Sequence, residues 1–192
     1  FVVDASGSMA ARKRMVAVKG AILSLLIDAY QKRDTVGMIA FRGDGLAPHA
    51  GAEVVLRPTN SVELAQRQLQ RLPTGGKTPL ADGLLLAEKV LNQQELRENR
   101  VEPLVVVLSD GRGNVARDGI APLEGVKIAA GRIAEKGWKS VVIDCESGYP
   151  RLGLAGVMAQ AMGGDCVKLD ELSAESVSGL VKSKMRESHN ID

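Results

Sequence analysis

Apolar positions recur along the chain at two spacings, and the spacing changes at polar punctuation. The opening run FVVD reads as a strand that ends on Asp4. Met15, Val18, Ile22, Leu25, Leu26 and Ala29 then recur at helical spacing, which predicts a helix from Ala11 to Tyr30 with one buried stripe. TVGMIAF (Thr35 to Phe41) is a buried strand followed by the loop RGDGLAPHAG, and AEVVL (Ala52 to Leu56) is a short strand. Ser61 suits the N-cap of a helix that runs to Arg71. After the loop LPTGGKTP, Pro79 suits the first turn of a helix reaching Gln94. PLVVVLS (Pro103 to Ser109) is the most apolar run and reads as a strand buried on both faces. A helix from Leu123 to Lys136 ends at Gly137, and KSVVID (Lys139 to Asp144) is a strand. Leu152 to Met162 is a helix, Cys166 to Leu169 a short strand, and Ser173 to Glu187 a closing helix.

Alternating strands and helices predict an α/β fold: one doubly wound, mostly parallel sheet with a short antiparallel edge strand and helices on both faces. A chain of 192 residues supports one such domain over 1–192. With the strand order 3-2-1-4-5-6, the first strand and PLVVVLS flank the point where strand order reverses, and the loops at their carboxyl ends form the crevice where ligands bind in such sheets.

Composition removes several functions. The net charge of +2 and an aromatic content of 3% give no basic or base-stacking surface for nucleic acid. No apolar run approaches the ~20 residues of a membrane span, and the start is no signal peptide. Phe1 reads as the middle of a strand, so the chain is expected to be a fragment of a larger protein. Cys145 and Cys166 are two isolated, free, mostly buried thiols rather than a disulfide framework. Trp138, Val141, Met158 and Met162 are core.

The strand ends carry the chemistry. Asp4, Ser6 and Ser8 stand two residues apart, so in extended backbone they project to one side. Asp110 ends PLVVVLSD and would face Asp4 across the crevice, with Thr78 supplied by a third loop. Two carboxylates and several hydroxyls form a hard, all-oxygen set, without His or Cys nearby, which suits Mg²⁺, Mn²⁺ or Ca²⁺ rather than zinc or copper. The bland alternative is that these residues only cap and turn the chain.

DASGS, TGGKTP and LSDG together resemble the three-part metal-ion-dependent adhesion site of the von Willebrand A, or integrin I, domain family, over nearly the whole chain. The resemblance implies that Asp4, Ser6, Ser8, Thr78 and Asp110 are the metal set. The hydroxyls would bind directly, one or both aspartates through water, and a partner carboxylate would complete the shell. FVVDASGSMAARKRM, RLPTGGKTPLADGL and LVVVLSDGRGN are further similar to the C-terminal domain of the magnesium chelatase D subunits, with cobaltochelatase subunits also similar. That likeness implies a non-catalytic interaction module of a machine that inserts Mg²⁺ into protoporphyrin IX using ATP, in chlorophyll synthesis. Its implied partners are a small AAA+ subunit and a large porphyrin-binding subunit, in bacterial cytoplasm or chloroplast stroma. A metal-dependent phosphohydrolase and a purely structural metal are the competing readings.

Other motifs mean less. Gly76-Lys77-Thr78 resembles the end of a P-loop, but the position five residues before Gly76 is Arg71 and a helix precedes the loop. Ser6 stands where a phosphotransferase would want a second aspartate, and His49 and His189 pair with no serine. Lys77, Arg112, Arg42 and Asp44 are expected on the partner-binding rim, Lys77 drawing a carboxylate to the metal. Arg42-Gly43-Asp44 reads first as a turn and second as a carboxylate offered to another copy's metal. Asp144 and Glu146 are expected on a solvated rim.

Overall fold

A computed structural model describes residues 1–10, 12–43, 51–98, 101–147 and 149–169. Asp44, His49, His189 and the expected closing helix fall outside these residues. The strands are β1 (Val2–Asp4), β2 (Val36–Phe41), β3 (Ala52–Thr59), β4 (Leu104–Ser109), β5 (Lys139–Asp144) and β6 (Asp165–Lys168). The helices are α1 (Arg12–Gln31), α2 (Val62–Arg71), α3 (Leu80–Glu95), α4 (Pro122–Glu135) and α5 (Leu154–Ala161). The six strands form one sheet in the order β3-β2-β1-β4-β5-β6, as expected. Every pair is parallel except β2 with β3. At eight residues β3 is longer than the five-residue run AEVVL, because its polar second half still pairs with the start of β2.

The two faces follow from the period of two in the strands. Val2, Ile39, Phe41, Val105, Val107 and Val142 pack against α3, α4 and α5. Their neighbours Val3, Met38, Ala40, Val106, Leu108 and Ile143 pack against α1 and α2. Met15, Val18, Ile22, Leu25 and Leu26 are the buried stripe of α1. Trp138, Val141, Met158 and Met162 are core, while Cys145 is buried and Cys166 exposed. The last strand lies on the sheet edge, which opens Cys166 to solvent.

Local signals acted as expected. The Ser61 hydroxyl accepts from the Leu64 N–H at 3.2 Å and caps α2. Gly137 lies at φ 68° just after α4, its N–H on the Ala134 carbonyl. Pro79 is the N-cap of α3 rather than part of its first turn. Gly83 sits inside α3, where a Cβ would lie 2.6 Å from the Phe41 ring; here glycine serves packing of helix on sheet. Among the described residues no helix is long and apolar enough to cross a membrane.

Candidate metal site

The site is assembled at the carboxyl ends of β1 and β4, which are adjacent and parallel. β1 stops at Asp4 because the Asp4 carboxylate turns the chain: its Oδ1 accepts the Ser6 N–H at 3.0 Å. A 3₁₀ turn follows at Gly7–Ala10, fixed by the wholly buried Met9 side chain. The extended geometry expected for Asp4, Ser6 and Ser8 is therefore replaced by a turn. The turn still brings the Ser6 and Ser8 hydroxyls to 3.0 Å.

Backbone hydrogen bonds sew three loops together. Gly7 N–H donates to the Gly76 carbonyl at 2.8 Å, Gly75 N–H to Ala5 at 2.8 Å, and Gly43 N–H to Lys77 at 3.1 Å. Gly76 has φ 84°, and a Cβ there would lie 2.9 Å from Gly43, so only glycine fits. Thr78 is held by Asn114 in a reciprocal pair: Thr78 N–H donates to Asn114 Oδ1 at 2.7 Å, and Asn114 N–H donates to the Thr78 carbonyl at 3.1 Å. Lys77 is exposed and Arg42 half-buried, both beside this loop, while Asp44 is outside the described residues.

Burial divides the five predicted residues. Asp4 and Ser6 are 0% exposed, Thr78 2% and Asp110 3%, whereas Ser8 is exposed. Asp4 Oδ2 accepts from the Ser109 hydroxyl at 2.7 Å, so the hydrogen-bond partners of this carboxylate are neutral. Burial pushes the Asp4 carboxyl up to about 6, with the Asp110 charge adding to it and the Ser6 and Ser109 hydrogen bonds opposing it. Asp110 Oδ1 accepts the Arg112 N–H at 3.0 Å, and the Arg112 Nε lies 4.0 Å from Oδ2.

Several contributors escaped the sequence reading. Ser109 is buried, with its hydroxyl between the Asp4 carboxylate and the Gly111 N–H. Glu146, expected on a solvated rim, is 5% exposed. It pairs with the Arg112 guanidinium at 2.7 Å and accepts the Leu152 and Gly153 N–H groups. Burial alone would raise the Glu146 carboxyl, but those amides and Arg112 outweigh it and pull it down to about 2. Arg112 is thus a strut between Asp110 and Glu146, with its side chain 43% exposed. Arg14 joins the Ser8 carbonyl to the Ser147 hydroxyl. Cys145 also lies close, against the expectation that no Cys is near. Burial pushes its thiol up, and the charges of Asp4, Asp144 and Asp110 push it further, so it stays protonated on the Ile143 carbonyl.

Among the described residues no three His, Cys, Asp or Glu side chains gather as a metal-binding group. The donor set is therefore the mixed one, two carboxylates with hydroxyls. It fits a hard divalent cation on two counts. Two buried carboxylates, one with only neutral partners, carry a cost that a cation would relieve. The 3.0 Å between the Ser6 and Ser8 oxygens matches the edge of about 2.9 Å between adjacent ligands of octahedral Mg²⁺.

The family model for the von Willebrand factor type A domain matches residues 1–112. An uncharacterized protein of Mycobacterium tuberculosis is 49% identical over 91% of this chain, which spans 26% of that protein. An uncharacterized protein of Methanocaldococcus jannaschii is 42% identical over 91% of this chain and 97% of its own length. The magnesium-chelatase 67 kDa subunit of Chlorobaculum parvum is 39% identical over 92% of this chain, which spans 29% of that subunit. Among solved structures, the conserved hypothetical protein BatB of Bacteroides thetaiotaomicron matches with a TM-score of 0.73 over 96% of both chains at 21% identity, a likeness of fold.

Proposed function

The chain belongs to the von Willebrand factor type A domain family, and from that membership we propose that it is a metal-dependent protein-interaction module of a chelatase-type assembly. Its relation to magnesium-chelatase subunits supports the assembly, and the M. jannaschii relative, nearly all of which this chain covers, supports a self-contained module. The observation that carries the metal is Asp4: a carboxylate 0% exposed, with neutral hydrogen-bond partners and a second buried carboxylate, Asp110, beside it.

Ser6, Ser8 and Thr78 would hold Mg²⁺ through neutral oxygens, and Asp4 and Asp110 would supply the charge. Asp4 has a donor on each oxygen already, which suits a grip through water. Mn²⁺ and Ca²⁺ suit the same oxygens. A bound divalent ion supplies an electrophilic position that accepts a partner's Asp or Glu oxygen. Lys77, Arg112 and Arg42 lie on the rim and draw that carboxylate in. The partners are the small AAA+ subunit and the large porphyrin-binding subunit of a chelatase. The module itself performs no chemistry: Asp4, Ser6 and Asp110 hold the ion and leave the reaction to those subunits.

The test is a pulldown with the small AAA+ subunit in Mg²⁺ and in EDTA, alongside thermal unfolding. Mg²⁺ at 100 times its Kd is expected to add about 2.7 kcal/mol of stability. Asp4→Ala is expected to abolish that gain and weaken the pulldown. Equal capture in EDTA and Mg²⁺ overturns the metal dependence of the interaction, and stabilisation by Mg²⁺ with equal capture makes the metal structural.

A further inference from the structure

We infer that Ser109 is a positioning residue of the metal site, whose hydroxyl fixes the Asp4 carboxylate and ties it to the loop carrying Asp110. The inference rests on the metal reading above and goes beyond it, because Ser109 is no ligand in that reading.

Ser109 is the last residue of β4 and is 0% exposed. Its hydroxyl has one proton and two lone pairs. The Gly111 N–H donates to that oxygen at 3.1 Å. The hydroxyl proton is then given to Asp4 Oδ2, at 2.7 Å. Gly111 follows Asp110 directly, so the chain of donors runs from the Asp110 loop, through Ser109, into Asp4. The Ser109 carbonyl meanwhile accepts the Cys145 N–H at 3.0 Å, which holds the end of β4 against the residue after β5.

The consequence for Asp4 is a two-point clamp. Oδ1 is held by the Ser6 N–H and Oδ2 by the Ser109 hydroxyl. The carboxylate plane cannot rotate about its bond to Cβ without losing a partner, so its oxygens stay presented in one orientation. A group that orients a ligand in this way commonly matters to affinity almost as much as the ligand itself. A merely space-filling or structural serine would instead show its loss in the stability of the metal-free fold.

The decisive comparison is Ser109→Thr against Ser109→Val in the full chain, two side chains of one shape that differ in the hydroxyl. Ser109→Ala serves as the smaller variant, and Asp4→Ala and wild type as references. Mn²⁺ and Mg²⁺ dissociation constants are measured by calorimetry, Mn²⁺ also by electron paramagnetic resonance, and metal-free thermal midpoints in EDTA. Ser109→Thr is expected to bind within about threefold of wild type, and Ser109→Val and Ser109→Ala about 10–100-fold more weakly, with folded metal-free states. Wild-type affinity in Ser109→Val or in Ser109→Ala, or equal weakening of folded Thr and Val variants, overturns the role of Ser109. If wild type itself binds neither ion, the metal reading fails; if wild type binds, Asp4→Ala does not and Ser109→Val does, only the present inference fails.

Discussion

Asp4 contributes a pH dependence of its own to the stability of the metal-free protein. Its carboxyl stands at about 6 when folded against an ordinary value of 3.8, because burial disfavours the charge. An acid raised in this way binds its proton more tightly folded than unfolded. Stability is therefore gained as pH falls from above 6 toward 4, and lost as pH rises through 6. The size of the effect is on the order of 3 kcal/mol for a group this deeply buried. Urea unfolding in EDTA across this range is expected to show it as a difference between wild type and Asp4→Asn. Glu146 sits on the opposite side of its ordinary range and acts in the opposite sense, at much lower pH. Saturating Mg²⁺ holds Asp4 ionised and is expected to remove the wild-type gain.

At the scale of elements, the loop between β5 and α5 is hung on one side chain. Glu146 receives the amides of Leu152 and Gly153 and the guanidinium of Arg112. Glu146→Ala removes the acceptor of those amides and the buried partner of Arg112 together, and is expected to cost about 2 kcal/mol. A lower urea midpoint at unchanged slope is the check, and Glu146→Gln should recover part of the loss. This hub shows what could and could not be read from the chain. Strands and helices were legible because apolar spacing reports a face locally: PLVVVLS and KSVVID gave their strands to within a residue. The candidate ligand residues of DASGS, TGGKTP and LSDG could be picked out because each sits in a short motif after or before a periodic run. Glu146 was not, because its burial depends on Arg112, 34 residues away, and on amides of a turn with no periodic signal. The turn after Asp4 was missed for a local reason. An aspartate that takes the N–H two residues on competes with extended backbone, and spacing alone cannot report which wins.

For the whole molecule, the site is a product of topology. Its carboxylates come from two strands that touch only because β1 lies between β2 and β4. The Asp4 and Ser109 side chains meet across 105 residues of sequence. A contact of that span forms late, after the cost of closing a long loop has been met. Mg²⁺ is therefore expected to slow unfolding while leaving the refolding rate nearly unchanged, since an ion that binds only the finished site cannot stabilise the transition state. Stopped-flow refolding and unfolding with Mg²⁺ and with EDTA would read this directly; equal acceleration of refolding would mean that the site forms early.

The same span sets a timetable during synthesis. Asp4, Ser6 and Ser8 leave the ribosome first, and Ser109 follows roughly 5–20 s later at ordinary elongation speed. Through that interval the nascent chain carries the opening third of the site without the strand that closes it. A site that needs both carboxylates would then take up an ion only in a chain synthesised past β4, and the sheet edge that awaits β4 is the surface a chaperone would have to shield until then.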